Sequence, residues 1–342
     1  MSEPLRVAVV GCGRISRNHF EAIERVEGLE LVAVADIVPD RAESAAAMYG
    51  VPAFDSLGAM LSGSVCDMVT IATPSGLHPA MGIEVARAGR HVVSEKPMAI
   101  SIDGADSLIG ACAENNVRLF VVKQNRLNPA IQLIKRAVEK GRFGRIHSAN
   151  CTVRWARPQE YYDQAPWRGT WAMDGGAFMN QASHYVDLIQ WLAGPVESVI
   201  AMTATQERRI EAEDSGAAVL RFRNGAIGVL DVTMLTYPRN LEGSLTILGD
   251  RGSVKIGGTA VNRVETWLFE DYDDDDKLVE SVGTTPPSVY GFGHEGYYKN
   301  VVRVLRGEGV PDTDGAEGRK SLEIILAIYE SARTACVVKV GH

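Results

Sequence analysis

Two patterns of apolar and polar positions divide the chain. In residues 5–122, short apolar runs alternate with longer stretches rich in Ala, Glu and Arg at helical spacing, such as 39–49 and 79–89. The apolar runs are RVAVV, ELVAVA, DMVTIAT, HVVSE and RLFVV. Fully apolar strands that alternate with helices indicate a parallel sheet covered on both faces. This half therefore predicts a doubly wound α/β domain, to which we assign residues 1–124.

From about residue 145, strand follows strand, separated by turn signals such as Arg-Asn-Gly. Such closely spaced strands indicate an antiparallel sheet. One helix is predicted at about 176–193, and two more at about 294–306 and 315–335. We expect a second domain over residues 125–342, of the α+β class with a large open, mainly antiparallel sheet. The open face of that sheet favours self-association.

Composition excludes several classes of protein. The 342 residues carry a net charge of −8 with a pI of about 5.5, which argues against nucleic-acid binding. No apolar run approaches the roughly 18 residues that cross a bilayer, and no signal-peptide pattern precedes LRVAVV. The five cysteines are scattered, so neither a disulfide framework nor a metal site is indicated. We expect a reduced, cytoplasmic protein, in which the acidic run Asp273–Asp276 is a solvated loop.

A strand-to-helix turn carries the first chemical motif. Gly11-Cys12-Gly13-Arg14-Ile15-Ser16 follows the first apolar run, and two glycines at this point permit a tight turn and a close approach of the backbone to a pyrophosphate. Ser16 replaces the third glycine of the dinucleotide fingerprint. Asp36 ends the second strand, where an acid can bind the ribose 2′-hydroxyl. A carboxylate there repels a 2′-phosphate, so we expect NAD rather than NADP in a Rossmann domain.

The loop after TIAT lies at the same carboxyl edge of the predicted sheet, where ligands bind in this architecture. Thr73, Pro74, Ser75 and His78 are therefore candidates to contact the cofactor. The alternative for His78 is a residue at a helix start with a solvated ring.

Another predicted strand ends on three unusual residues, Glu95, Lys96 and Pro97. Charged groups at a strand end are costly unless they pair or face a ligand. Lys96 beside a nicotinamide could bind a substrate hydroxyl, and burial with a neighbouring positive charge would lower its pKa. Pro97 would stiffen the turn and can hold a cis peptide. The alternative is a surface salt bridge.

The predicted helix 176–193 supplies a partner for this lysine. Asn180 and His184 are four residues apart and would share one helical face, and Asp187 could orient the imidazole. Histidine titrates near neutral pH and suits a general base acting on an alcohol. A structural histidine is the alternative reading.

These motifs together resemble the glucose–fructose oxidoreductase/inositol dehydrogenase (Gfo/Idh/MocA) family along essentially the whole chain. The motifs are the Gly-x-Gly turn, Glu-Lys-Pro, and Gly-Gly-x-x-x-Asn-x-x-x-His-x-x-Asp. The resemblance implies that Lys96 and His184 flank the reacting carbinol, opposite the nicotinamide. Many members have Asp four residues before the histidine, whereas this chain has Asn180, which cannot act as a base. Proton transfer then falls to His184 or Lys96.

Within the family, four segments are similar to the UDP-N-acetyl-2-amino-2-deoxy-D-glucuronate 3-dehydrogenases. They begin at VVKQNRL, RWARPQEYY, TMLTYPRN and SVYGFGHEGYY. The similarity implies oxidation of the sugar 3-hydroxyl of a UDP-linked uronic acid, in the biosynthesis of precursors of bacterial surface polysaccharide (O-antigen). In some members of this branch, the bound NADH is reoxidised in place by 2-oxoglutarate. The similarity implies the same for this chain, as an expectation.

Local charge supports an anionic substrate independently of the family. Residues 121–170 contain ten Lys and Arg against three acids, a balance of 10 − 3 = +7 in a protein of net charge −8. Arginine grips pyrophosphate and carboxylate groups bidentately. Tyr161, Tyr162 and Trp167 could stack on uracil or nicotinamide, or simply pack in the core. The expected substrate ligands are Lys96, Lys123, Asn125, Arg154, Arg157, Tyr161, Asn180, Gln181 and His184. The expected cofactor ligands are Gly11, Gly13, Arg14, Ile15, Asp36, Thr73, Pro74, Ser75, His78, Glu95, Lys96, Gln124, Trp167 and Arg168.

Two rival functions remain open at this point. A dehydrogenase of a free polyol or sugar, such as an inositol, would need no arginines for a pyrophosphate. A non-catalytic NAD-binding sensor would have no use for Lys96 and His184 together.

Overall fold

A computed structural model describes residues 3–283 and 293–341, which fall into two compact units. The first unit runs from the N-terminal end to Lys123 and includes His294–Arg319; the second comprises Gln124–Gly293 and Lys320–His342. The first break lies beside the predicted boundary at residue 124. The structure then differs from the prediction, because residues 294–319, expected in the second domain, pack in the first unit. Residues 288–292 of SVYGFGHEGYY lie outside the described residues.

The first unit is built on a six-stranded sheet in which every neighbouring pair is parallel, with the order β3-β2-β1-β4-β5-β6. Central strands such as Val7–Val10 and Met68–Ile71 are buried on both faces, as their apolar sequences require. This topology confirms the predicted doubly wound α/β domain. Its strands are β1 (Leu5–Val10), β2 (Leu29–Ala35), β3 (Ala53–Phe54), β4 (Met68–Ile71), β5 (His91–Ser94) and β6 (Leu119–Val121).

The helices of this unit follow sequence signals that start and stop helices. Pro39 occupies the first turn of α2, and Gly50 ends it in the left-handed conformation. The Ser101 hydroxyl accepts the Gly104 N–H at the start of α5. The helices are α1 (Ser16–Arg25), α2 (Pro39–Tyr49), α3 (Leu57–Gly63), α4 (His78–Arg87), α5 (Ile102–Glu114) and α9 (Gly293–Leu305), with a 3₁₀ turn at Ser75–Leu77.

The second unit contains an eight-stranded sheet with the order β13-β12-β11-β7-β10-β9-β8-β14. One neighbouring pair, β7 with β10, is parallel and the others are antiparallel, which confirms the predicted mainly antiparallel sheet. The strands are β7 (Ile146–Arg154), β8 (Val196–Ala204), β9 (Ser215–Phe222), β10 (Ile227–Thr233), β11 (Glu242–Gly249), β12 (Gly252–Gly257), β13 (Arg263–Phe269) and β14 (Val338–Lys339).

The remaining helices are α6 (Pro129–Glu139), α7 (Gln159–Asp163), α8 (Ser183–Ala193) and α10 (Gly315–Thr334), and two further 3₁₀ turns lie at Gln124–Leu127 and Asp274–Leu278. The predicted helix 176–193 is wrong in its first part, because α8 starts only at Ser183. The N–H groups of Ala177 and Phe178 bind Glu213 instead of carbonyls of their own turn, and Gly175 has a φ of 72°. Asn180 therefore lies in the turns before α8 and does not share a helical face with His184.

Among the described residues, no helix combines the length and the apolar character that a bilayer crossing requires.

Candidate active site

The glycine turn after β1 has the backbone that a dinucleotide needs. Gly11 has a φ of 93°, and a Cβ there would come within 2.5 Å of the Ala72 carbonyl oxygen, so only glycine fits. A Cβ on Gly13 would meet no atom within 4 Å, so the backbone faces open space at the start of α1. No side chain caps this helix end, where Arg14 is exposed and Ile15 half-buried. The turn fits a pyrophosphate.

Asp36 is held rigidly at the end of β2. Its Oδ2 accepts the N–H of Cys12 at 2.7 Å, and its Oδ1 accepts the N–H of Val38 at 2.8 Å. Each carboxylate oxygen keeps a second lone pair for a ribose hydroxyl. The placement thus fits the predicted preference for NAD.

The loop after β4 is tied to the turn that carries Lys96. His78 is buried, and its ring nitrogens lie 2.8 Å from the carbonyl oxygens of Thr73 and Pro97. Burial lowers the pKa of His78, so the ring is neutral and donates to one carbonyl at a time. Neither the predicted cofactor contact nor the solvated ring describes this residue, because both nitrogens face main-chain oxygens. Thr73 and Pro74 are half-buried, and Ser75 is buried.

Glu95 was expected to face the cofactor, but its side chain is buried with two histidines. Its Oε1 lies 3.0 Å from Nε2 of His19 and 3.8 Å from Nε2 of His294, and its Oε2 accepts the Lys96 N–H. Burial alone would raise the pKa of Glu95, but His19 and His294 outweigh it and hold the pKa well below its usual range. The ligand atoms of the three residues lie within 4.8 Å of one another, a donor set that could hold a divalent cation.

Lys96 follows directly at the carboxyl edge of the first sheet. Its side chain is half-buried, and its peptide bond to Pro97 is cis. Lys123, at the end of β6, is 3% exposed. Both predicted cationic ligands of this unit thus lie beyond the ends of parallel strands, where α/β sheets bind ligands.

In the second unit, the structure brings His184 and Gln124 together. The Nε2 atoms of the two side chains lie 3.3 Å apart, and both residues are buried. An amide N–H can only donate, so in this arrangement the His184 Nε2 carries a lone pair, as a general base requires. Asn125 and Gln181 are also buried. Both oxygens of Asp187 bind Arg126, which holds this carboxylate in place one turn beyond His184. That Asp187 orients the imidazole stays a prediction.

The turns before α8 depend on residues that the sequence analysis missed. Asp174 accepts the Gly169 N–H and binds the side-chain amide of Asn180. Glu213 accepts the Phe178 N–H at 2.8 Å and the Tyr329 hydroxyl at 3.0 Å. Burial raises the pKa of Glu213 from 4.5 to about 7. The signal that could have identified Glu213 in the sequence is an acidic residue beside the turn signal in EAEDSG. The burial of Glu213, however, depends on Tyr329, which is distant in the chain.

A cluster of arginines and aromatic rings forms around Tyr161. The Arg168 guanidinium lies 4.4 Å from the ring centre of Tyr161 and 4.7 Å from that of Trp167. Arg157 lies 5.4 Å from the Tyr161 ring and 5.0 Å from that of Trp155. Tyr162 is buried beside Tyr161. Two cations against one ring make a compact, rigid group suited to an anion. The sequence analysis had divided these residues between cofactor and substrate.

Arg154 does not join this cluster. Cys151 contacts the Tyr185 carbonyl of α8, and Arg154, three positions along β7, points to the opposite face of the sheet. There its guanidinium binds Asp231 and Glu242. The structure therefore differs from the prediction that Arg154 grips the substrate.

Three of the ten cations in the predicted basic region bind the acidic run, which is therefore not a merely solvated loop. Arg136 binds Asp275, Lys140 binds Asp273 and Asp275, and Arg142 binds Asp276. The local balance of +7 thus overstates the charge available to a ligand.

Comparisons with known proteins agree with this architecture. Residues 5–123 match the oxidoreductase family with an NAD-binding Rossmann fold, and residues 131–255 match the GFO/IDH/MocA C-terminal domain. The WlbA dehydrogenase from Bordetella pertussis, crystallised with NADH and UDP-GlcNAcA, is 55% identical over 100% of this chain and 99% of its own, with a TM-score of 0.97.

The WlbA dehydrogenase from Chromobacterium violaceum, in the same kind of complex, is 50% identical over 100% of this chain and 97% of its own, with a TM-score of 0.95. A D-apiose dehydrogenase from Paraburkholderia graminis is 26% identical, covering 97% of this chain and 88% of its own. The chain therefore belongs to the GFO/IDH/MocA family of NAD-binding oxidoreductases.

Proposed function

We propose that this oxidoreductase uses NAD to oxidise the 3-hydroxyl of UDP-N-acetylglucosaminuronic acid to a ketone. The observation that carries the proposal is the full-length similarity, at 50–55% identity, to two dehydrogenases crystallised with NADH and UDP-GlcNAcA. The arginine and aromatic cluster of Arg157, Tyr161, Trp167 and Arg168 supplies the cationic groups that such a dianionic nucleotide and its carboxylate need.

The chemistry divides between the cofactor and two side chains. Bound NAD, held by the Gly11–Ile15 turn and Asp36, supplies the acceptor for the hydride from C3. His184 or Lys96 takes the proton of the hydroxyl, and Asn180 holds the substrate. When the Gln124 amide donates, Nε2 of His184 accepts and is free to take the proton in that tautomer, whereas a lysine ammonium group must first lose a proton to act as a base.

The test mixes purified protein with UDP-N-acetylglucosaminuronic acid and follows NADH absorbance, with and without 2-oxoglutarate. We propose that NADH stays bound and is reoxidised by 2-oxoglutarate, which is reduced to 2-hydroxyglutarate. NADH absorbance should then rise by a single turnover without 2-oxoglutarate, and 2-hydroxyglutarate should accumulate continuously when 2-oxoglutarate is added. Steady NADH formation with added NAD would keep the substrate but reject the recycling. The absence of any signal, with NAD bound, would contradict the proposal.

A free sugar is the second candidate substrate, favoured by the similarity to a D-apiose dehydrogenase. Binding of UDP alone distinguishes the two, because only a nucleotide-sugar enzyme needs groups for the pyrophosphate. Calorimetric titration with UDP should show binding. Arg157→Ala should weaken the binding of UDP and leave the binding of NADH intact. No affinity for UDP would favour the free sugar.

We also propose that an enzyme acting on the nucleotide sugar takes part in the synthesis of O-antigen precursors and is located in the cytoplasm.

We further propose that this chain forms a homotetramer and that the open face of the eight-stranded sheet joins its copies. Apolar side chains of its central strands point to solvent, among them Ile200, Met202, Val219 and Val229, with Met202 81% exposed. Light scattering should find Met202→Glu dissociated and Met48→Glu, a control in the first unit, still assembled. A monomeric parent protein would contradict this proposal.

A further inference from the structure

A buried chain of side chains in the first unit ends on the main chain of Lys96. Thr70 Oγ1 lies 2.8 Å from the hydroxyl oxygen of Tyr298, which lies 2.9 Å from Nδ1 of His19. His19 Nε2 lies 3.0 Å from Oε1 of Glu95. Glu95 Oε2 then accepts the N–H of Lys96 at 2.9 Å. Except for Lys96, every member is buried.

The protons of this chain can be assigned without a metal ion. An ionised carboxylate only accepts, so His19 donates to Glu95 through Nε2. With Nε2 as donor, one tautomer of His19 accepts at Nδ1 from Tyr298, whose oxygen in turn accepts from Thr70. Each of these contacts is a hydrogen bond of ordinary length. Hydrogen bonds thus account for the His19–Glu95 contact without a metal ion, whereas the buried Nε2 of His294, 3.8 Å from Glu95, has no hydrogen-bond partner among the described residues.

Helix α9 contributes two of the groups around Glu95. His294 and Tyr298 are four residues apart and share one helical face. The His294 ring packs edge-on against His19, with 5.1 Å between ring centres. Both residues belong to the segment SVYGFGHEGYY, which is similar to one branch of the family but contains none of the catalytic motifs. Through helix α9, this segment reaches the surroundings of Glu95.

We propose that Glu95, ionised and held by His19, is a positioning residue for Lys96; the inference rests on the proposed function, in which Lys96 acts on the substrate. The lysine side chain is long and flexible, so its reach depends on a fixed main chain. Glu95 fixes the amide of Lys96, and His78 contacts the carbonyl oxygen of Pro97 just beyond it.

The test replaces Glu95 by leucine, which removes the acceptor of the Lys96 N–H, and by glutamine, whose amide oxygen can still accept that bond. Glu95→Leu should lower kcat about 10- to 100-fold while NADH affinity is unchanged. Glu95→Gln should keep most of the parent kcat, because it keeps the contact that positions Lys96. Asp106→Asn, which removes an exposed carboxylate paired with Arg319 in the same unit, should leave kcat unchanged.

A second readout needs no substrate and so separates this inference from the proposed function. Lysines are labelled by reductive ¹³C-methylation, and the Lys96 signal is assigned by its loss in Lys96→Arg. At a fixed pH its chemical shift should change in Glu95→Leu and stay in place in Asp106→Asn. Unchanged chemical shift and kcat in Glu95→Leu would overturn the proposal. Stoichiometric zinc, found by elemental analysis of the parent protein and lost in Glu95→Gln, would also overturn it.

Discussion

The guanidinium of Arg126 binds both carboxylate oxygens of Asp187, at 2.7 and 2.8 Å, with each side chain at most 5% exposed. The pair joins the 3₁₀ turn that carries Gln124 to α8, which carries His184. It therefore holds together the two elements whose side chains Gln124 and His184 are in contact.

Breaking this ion pair should be costly, because one charge would stay buried without its partner. Asp187→Asn should lower the free energy of unfolding by about 3–5 kcal/mol, measured by urea denaturation. The double variant Arg126→Met/Asp187→Leu should lose less than the sum of the single variants Arg126→Met and Asp187→Leu. Additive losses would show that the two charges are not coupled.

Lys96→Met should reduce turnover of UDP-N-acetylglucosaminuronic acid by about 10²–10⁴-fold, as expected for loss of a group that acts on the reacting hydroxyl. NADH binding, followed by fluorescence, should persist. The control Lys299→Met removes an exposed lysine paired with Glu295 and should leave turnover unchanged. Near-normal turnover in Lys96→Met would remove this lysine from the chemistry.

Glu213 should make stability fall as the pH rises. Its pKa in the folded protein is about 7, against 4.5 for an ordinary glutamate, so the folded state binds more protons between these values. The free energy of unfolding should therefore decrease from about pH 4.5 to about pH 7, by on the order of 3 kcal/mol, and stay lower above.

Glu213→Gln has no proton to lose and keeps an acceptor for the Phe178 N–H. Its free energy of unfolding should match that of the parent protein at low pH and exceed it above neutrality. The exposed Glu330→Gln on α10 serves as the control. Parallel stability curves for the parent and Glu213→Gln, measured by thermal denaturation across pH, would show that Glu213 titrates normally.

Asp36→Asn tests the choice of cofactor. The amide keeps its oxygen and removes the charge that repels a 2′-phosphate, so the preference for NAD over NADP should fall by about tenfold or more. The ratio of kcat/KM for the two cofactors measures the effect. An unchanged ratio would assign the discrimination to other residues.

The sequence by itself determined the local features of this protein. The period of the apolar residues predicted nearly every long strand, and the residue types at Gly11–Gly13 and Glu95–Pro97 marked the turns that follow two of these strands. Short elements such as β3 were not predicted, because two residues cannot establish a period of apolar positions.

Only the tertiary structure decided which partners distant side chains have. Tyr298 contacts His19 across a separation of 279 residues, and Tyr329 contacts Glu213 across a separation of 116 residues. Such contacts leave no trace in local spacing, so α9 was assigned to the wrong domain and Glu213 was missed. Arg154 was misjudged for the same reason, since its residue type favours an anion but the pleat of β7 directs it to Asp231 and Glu242.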